Sequence, residues 1–260
     1  MRMSHALRLG LRLVRGMDEE DARRLVLCRA TGYRDPYDLW RRARMPVAGL
    51  ERLAKADAFR SVGLDRRAAL WAVKALGAQP LPLFAGLTDS AQREPEALLP
   101  TMALGEHVVM DYGSLCLSLK AHPMALLRDG FAGVVPAERL GTVRAGTRLT
   151  VAGLALVRQR PGSADGVVFI TLEDETGIAN LVIMPDMFET FRKVILGARL
   201  IAATGRVERT GKPNPEGGEV IHLRVERLTD LTHRLRDLTD PDAPPNASTV
   251  AVFPEGRNFR

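Results

Sequence analysis

The sequence predicts an α+β protein in two parts: an all-α segment first, then a small five-stranded β-barrel. Three observations predict it. Apolar residues recur at helical spacings of three and four over residues 4–78. Near Gly146 this gives way to short apolar runs bounded by turn residues, which read as strands. Charge shifts along the chain as well: residues 1–78 hold 17 Lys and Arg against 9 Asp and Glu, residues 79–146 hold 5 against 7, and residues 147–260 hold 15 against 15.

The 260 residues suffice for two modest domains, and an apolar fraction of 46% excludes wholesale disorder. No apolar run approaches the roughly 20 residues of a membrane span. Arg8, Arg12 and Arg15 interrupt the leucines that a secretory leader would need. Cys28 and Cys116 lack paired-ligand spacing and read as thiols of a reducing, cytoplasmic compartment.

In residues 1–78 the apolar positions are Leu25 and Val26, Leu39 and Trp40, Leu50, Leu53 and Ala54, then Leu70, Trp71 and Val73. Breaks at Gly16, Gly32, Pro36, Pro46 and Gly63 divide them into short helices joined in hairpins. Residues 79–145 read as a connector, stiffened by Pro80, Pro82, Pro95 and Pro100, with a helix near 104–112 and another after Pro123. The barrel is expected over 146–235, with strands at 148–160, 167–173 and 178–184, a helix at 185–194, and strands at 199–207 and 219–228. Three strands, one helix and two strands is the order of an OB fold, a barrel that often carries single strands or tRNA. Residues 236–260 are polar and proline-rich and read as an extended tail.

The run Arg15-Gly16-Met17-Asp18, continuing to Arg23-Arg24, carries the first candidate site. Glycine permits a tight turn, and unpaired amides at the next helix start attract an anion. The pattern resembles the helix-hairpin-helix element that grips DNA backbones, with Asp18 standing where a second glycine is usual. Asp18 also suits a helix N-cap. Gly63, Arg66 and Arg67 repeat the theme of glycine turn and basic helix, with Phe59 and Trp71 as the packing around it. Fifteen of the 17 cations of residues 1–78 are arginine, whose planar fork suits phosphate, so a polyanion partner follows, with a solubilising surface as the other reading.

In the barrel, Arg158, Arg160, Lys193, Arg206, Arg209 and Lys212 can supply backbone contacts, and Phe169 is the aromatic on a central strand, either a stacking face or core. Glu173-Asp174-Glu175 is tempting as a metal-binding run but sits at a predicted turn and reads as solvated. Asp240-Pro241-Asp242 lies in the tail. No metal cage, phosphate-cradling glycine loop or serine nucleophile is legible, so no catalytic or metal residue is expected.

Further segments carry a resemblance. Residues 4–78, the stretch Leu117-Ser118-Leu119-Lys120-Ala121-His122-Pro123, the run Arg158 to Gly162 with Thr171 to Val182, and the ending Arg257-Asn258-Phe259-Arg260 are similar to the C-terminal portion of bacterial family-C DNA polymerases, most of all the error-prone, damage-associated branch. The resemblance implies a chain that holds primed duplex and single-stranded template DNA in translesion synthesis. It also implies that the palm carboxylates and their Mg2+ lie outside this chain, which needs no cofactor of its own and does not polymerise alone. Gln79, Leu81, Leu83 and Phe84 resemble the short peptides by which such enzymes dock on the sliding clamp. Two other functions remain open: a stand-alone DNA, RNA or tRNA binder, and a protein-interaction module docking on a clamp through that peptide.

Overall fold

A computed structural model describes residues 9–76, 99–211, 219–239 and 248–256. The chain divides into two compact units, residues 1–102 with 110–117 and residues 103–109 with 118–260.

The first unit is built on four helices, α1 (Glu19–Leu27), α2 (Pro36–Ala43), α3 (Val47–Lys55) and α4 (Arg66–Lys74). Three of them start on an aspartate. Asp18, Asp35 and Asp65 accept hydrogen bonds from amides in the first turns of α1, α2 and α4, satisfying donors the helix itself cannot. Gly63, at φ +80°, turns the chain just before α4, a conformation that costs glycine nothing. Leu25, Leu39, Trp40, Leu50, Leu53, Phe59 and Val73 meet in the core. Phe59 is the core residue expected, but Trp71 is 49% exposed. Arg42 ties α2 to the end of α1 by donating to the carbonyls of Gly32 at 2.7 Å and Cys28 at 2.6 Å. Helix α5 (Leu104–Leu115) contributes residues to both units.

After its share of α5, the second unit continues with the short helix α6 (Pro123–Leu127) and a two-residue strand β1 (Val134–Val135) that the sequence reading missed. The barrel follows: β2 (Arg148–Gln159), β3 (Val168–Asp174), β4 (Gly177–Ile183), α7 (Pro185–Gly197), β5 (Leu200–Thr210) and β6 (Val220–Asp230). The order β2-β3-β4-β6-β5 closes because β5 also pairs with β2. Strand alternation sends Val168, Ile170, Leu172, Leu181, Ile183, Ile201, Leu223 and Val225 inward, where Phe188 and Ile195 of α7 join them. Each such burial contributes about 1.5–3 kcal/mol. Gly153 and Gly205 are required by close approach, since a Cβ at either would run into the carbonyl of Glu173 or of Arg224. Successive partners Gln159, Phe169, Val182, Arg224, Arg206 and Arg148 run once round the barrel and return to β2 eleven residues from the start. A closed barrel of tilted strands needs such a stagger.

Two expectations are corrected here. The segment after residue 236 is not simply extended: α8 (Ser248–Ala251) forms, Phe253 is buried, and Arg199 donates to the carbonyls of Val250 at 2.9 Å and of Phe253. The Glu173–Glu175 run is not a solvated turn. Asp174 is 4% exposed and accepts from Arg128 at 2.8 Å, the Ala137 amide at 2.8 Å and the Thr176 hydroxyl at 2.6 Å. Burial alone would raise its pKa, but the Thr176 and Ala137 hydrogen bonds and the Arg128 charge outweigh burial and hold it below the usual carboxylate range.

Candidate nucleic-acid interface

The first hairpin turns at Gly16, whose φ is +72°. A Cβ there would stand 3.3 Å from Nε of Arg52, so glycine leaves room for that side chain to lie across the turn. Four amides of the expected cradle are taken from within the protein. The Arg15 amide donates to the Ser114 carbonyl at 2.8 Å, the Met17 amide to the Val14 carbonyl at 3.0 Å, and the Glu20 and Asp21 amides to Asp18. Asp18 therefore acts as the N-cap. What the hairpin offers outward is cationic side chains. Arg15 is exposed, and Arg23 is exposed in an i,i+4 pair with Glu19 at 2.7 Å. Arg24 is held by the buried Asp21.

At the second turn, Arg66 does not face outward. It is fully buried and pairs with buried Asp111. Arg67 donates to the Pro100 carbonyl at 2.7 Å. The reason is geometric: the first helical turn after Asp65 faces the interior, and an arginine there is tolerated only with a carboxylate.

The barrel residues also sort into two groups. Arg158 is 1% exposed and donates to the carbonyls of Ile195, Ala198 and Glu255. Burial lowers its pKa, against a smaller opposite effect of Glu255. Arg209 spends its guanidinium on the carbonyls of Gly141 and Val143, both at 2.8 Å, and on Glu219. Neither is available to a strand of DNA. Phe169 is 37% exposed on the outside of β3, between Val168 and Ile170 which point inward, so of its two readings the structure takes the exposed one. Thr171 and Asn180 lie beside it on the same face, 3.3 Å apart. Arg160 and Lys193 are exposed, with Arg160 stacked 4.7 Å over the Phe188 ring. Arg206 is exposed and pairs with Glu226 at 3.0 Å.

Sequence reasoning missed Arg148 and Arg224, both exposed on the barrel's exterior. The alternation of β6, with Leu223 and Val225 inward, carries the signal for Arg224. Gln79, Leu81, Leu83, Phe84 and Lys212 lie outside the described residues. Among the described residues no His, Cys, Asp and Glu group of three or more could hold a metal ion, and no helix is long and apolar enough to cross a membrane.

An all-helical region of capped hairpins followed by a closed five-stranded barrel with an exposed aromatic on its outer face defines a class of nucleic-acid-binding architecture. Comparisons agree. Residues 2–69 match the helix-hairpin-helix motif, and residues 149–231 match the OB-fold nucleic acid binding domain. Relatives of this chain include error-prone DNA polymerases. It is 49% identical to that of Ruegeria pomeroyi over 91% of its length, and 49% identical to error-prone DNA polymerase 1 of Rhizobium meliloti over 88%. The chain spans about a fifth of those relatives, 21% of each. Among solved structures, asparaginyl-tRNA synthetase from Pyrococcus horikoshii is 25% identical, with 34% of this chain and 20% of that chain covered at a TM-score of 0.27. That likeness is too slight to bear on function.

Proposed function

We propose that this chain is the DNA-holding part of an error-prone DNA polymerase acting in translesion synthesis. Its helical region grips duplex backbone through exposed arginines such as Arg15 and Arg23, and its barrel holds single-stranded template. Nucleotidyl transfer, with its palm carboxylates and magnesium ions, is assigned to the part of the relatives that this chain does not span. The observation that carries the reading is Phe169: an exposed aromatic on a central barrel strand, in one cross-strand row with the exposed Arg224. Stacking on such a face is indifferent to base identity, and arginines beside it follow the phosphates. This suits an enzyme that copies any template.

Fluorescence anisotropy across a salt series tests it, with labelled single-stranded, duplex and primed DNA and structured RNA. The expected result is tighter binding to primed DNA than to RNA, weakening steeply with salt. No binding to any DNA at low salt, or a preference for structured RNA, overturns the reading.

A further inference from the structure

We propose that Arg224, Arg206 and Arg148 form a phosphate track for single-stranded DNA, continuing from Phe169 round the outside of the barrel, and that Glu226 is a built-in competitor limiting its grip. The proposal rests on the DNA-holding reading and adds a path and a control to it.

Register carries the path. Phe169 pairs across to Val182, Val182 to Arg224, Arg224 to Arg206, and Arg206 to Arg148. Neighbouring strands lie about 4.8 Å apart, so the three arginines follow one another over roughly 10 Å. Each keeps 57% of its side chain exposed.

A bulge carries the control. Between Thr204, paired with Arg227, and Gly205, paired with Val225, Glu226 is the extra residue of β6. In a regular strand, consecutive residues face opposite sides. The bulge lets Glu226 and Arg227 both face outward while Val225 and Leu228 stay buried. The re-aimed carboxylate takes one arginine on each oxygen: Oε2 accepts from Arg148 Nε at 2.7 Å, and Oε1 stands 3.0 Å from Arg206 Nε. Two oxygens bridging two guanidinium groups is the arrangement that a phosphodiester's two free oxygens would make. Glu208 opposes Arg224 more loosely, at 3.6 Å, while holding His222 at 3.1 Å. Exposed ion pairs of this kind contribute little to stability and exchange readily, so a phosphate can displace the carboxylate while its charge still lowers the affinity.

The test titrates the whole chain with a fluorescein-labelled oligothymidylate across a salt series. Glu226→Gln is expected to tighten binding about threefold to tenfold at low salt. Arg148→Ala with Arg206→Ala is expected to weaken binding, and adding Glu226→Gln to that pair to restore nothing. A gain in affinity cannot come from misfolding, so Glu226→Gln is the decisive variant. If the unsubstituted chain binds, Phe169→Ala weakens it and the Glu226 and arginine variants bind as the unsubstituted chain does, the track is overturned and the DNA-holding reading stands. Failure of the unsubstituted chain to bind overturns both.

Discussion

Arg158 and Arg66 look alike in the sequence to Arg15 and Arg23, yet the first two are buried and the last two are exposed. A guanidinium in water is available to phosphate; one sealed in the interior is a structural cross-link whose removal orphans its partners. Arg158 ties the carbonyls of Ile195 and Ala198, at the end of α7, to that of Glu255 beyond α8. Arg158→Ala is therefore expected to cost about 3 kcal/mol or more in urea denaturation and to expose the segment around Phe253 to protease. Affinity for single-stranded DNA under native conditions should hardly change; a large loss of affinity at unchanged stability would return Arg158 to the binding face. Asp111→Ala removes the buried carboxylate that pairs with the fully buried Arg66, and the expected loss is about 3–5 kcal/mol. Neither role was legible in the sequence. The partners of Arg158 lie 37 to 97 residues away and that of Arg66 lies 45 away, and only the fold brings them together.

Elements were far more legible than single side chains, because their signals are local. The period-two alternation of Val168 to Asp174 and Gly177 to Ile183, with the tight turn between them, marks two strands to within a residue. The closed barrel followed from element order alone. Missed were the pieces fixed by distant contacts: the two-residue β1, which exists only through pairing with Thr150 and Val151, and α8, held by Arg199. The helix after Pro123 was foreseen, but not its cap. His122 Nδ1 accepts from the Met124 amide at 3.1 Å, while its buried Nε2 has no hydrogen-bond partner and stands 4.0 Å from Glu173. Burial lowers the His122 pKa from 6.5, outweighing Glu175 and Asp174, which raise it; Arg128 adds to the lowering. Protonation would also turn the cap's acceptor into a donor. Below pH 6.5 the unfolded chain thus binds the proton more readily than the folded one, and stability falls as pH drops through that window. Thermal melts should show His122→Asn, which keeps a capping oxygen, losing less stability than the unsubstituted chain between about pH 6.5 and pH 5. Parallel losses would show that the acid sensitivity comes from elsewhere. Asp174, lowered from 3.8, adds its own loss only below that value.

At the scale of the whole molecule, the uneven charge suggests two tasks rather than one diffuse field. The balance of 17 cations to 9 acids belongs to residues 1–78, whereas residues 147–260 are neutral, 15 against 15. A neutral barrel holds a strand through a stacking face and a few placed arginines, while a basic helical region can hold duplex by charge alone. The two should therefore respond to salt separately. With about four duplex phosphates neutralised, the slope of log affinity against log salt is about −3.6, and affinity falls roughly a hundredfold between 50 and 200 mM. With about three single-strand phosphates the slope is about −2, a fall of roughly twentyfold. Arg15→Ala with Arg23→Ala should flatten the duplex slope by about 1.8 and leave the single-strand slope alone. Arg206→Ala with Arg224→Ala should do the reverse, flattening the single-strand slope by about 1.4. Anisotropy titrations of both variants against both probes read this directly. Equal flattening of both slopes by either pair would mean one shared surface, and the division of labour between helices and barrel would fall; crossed effects would establish it.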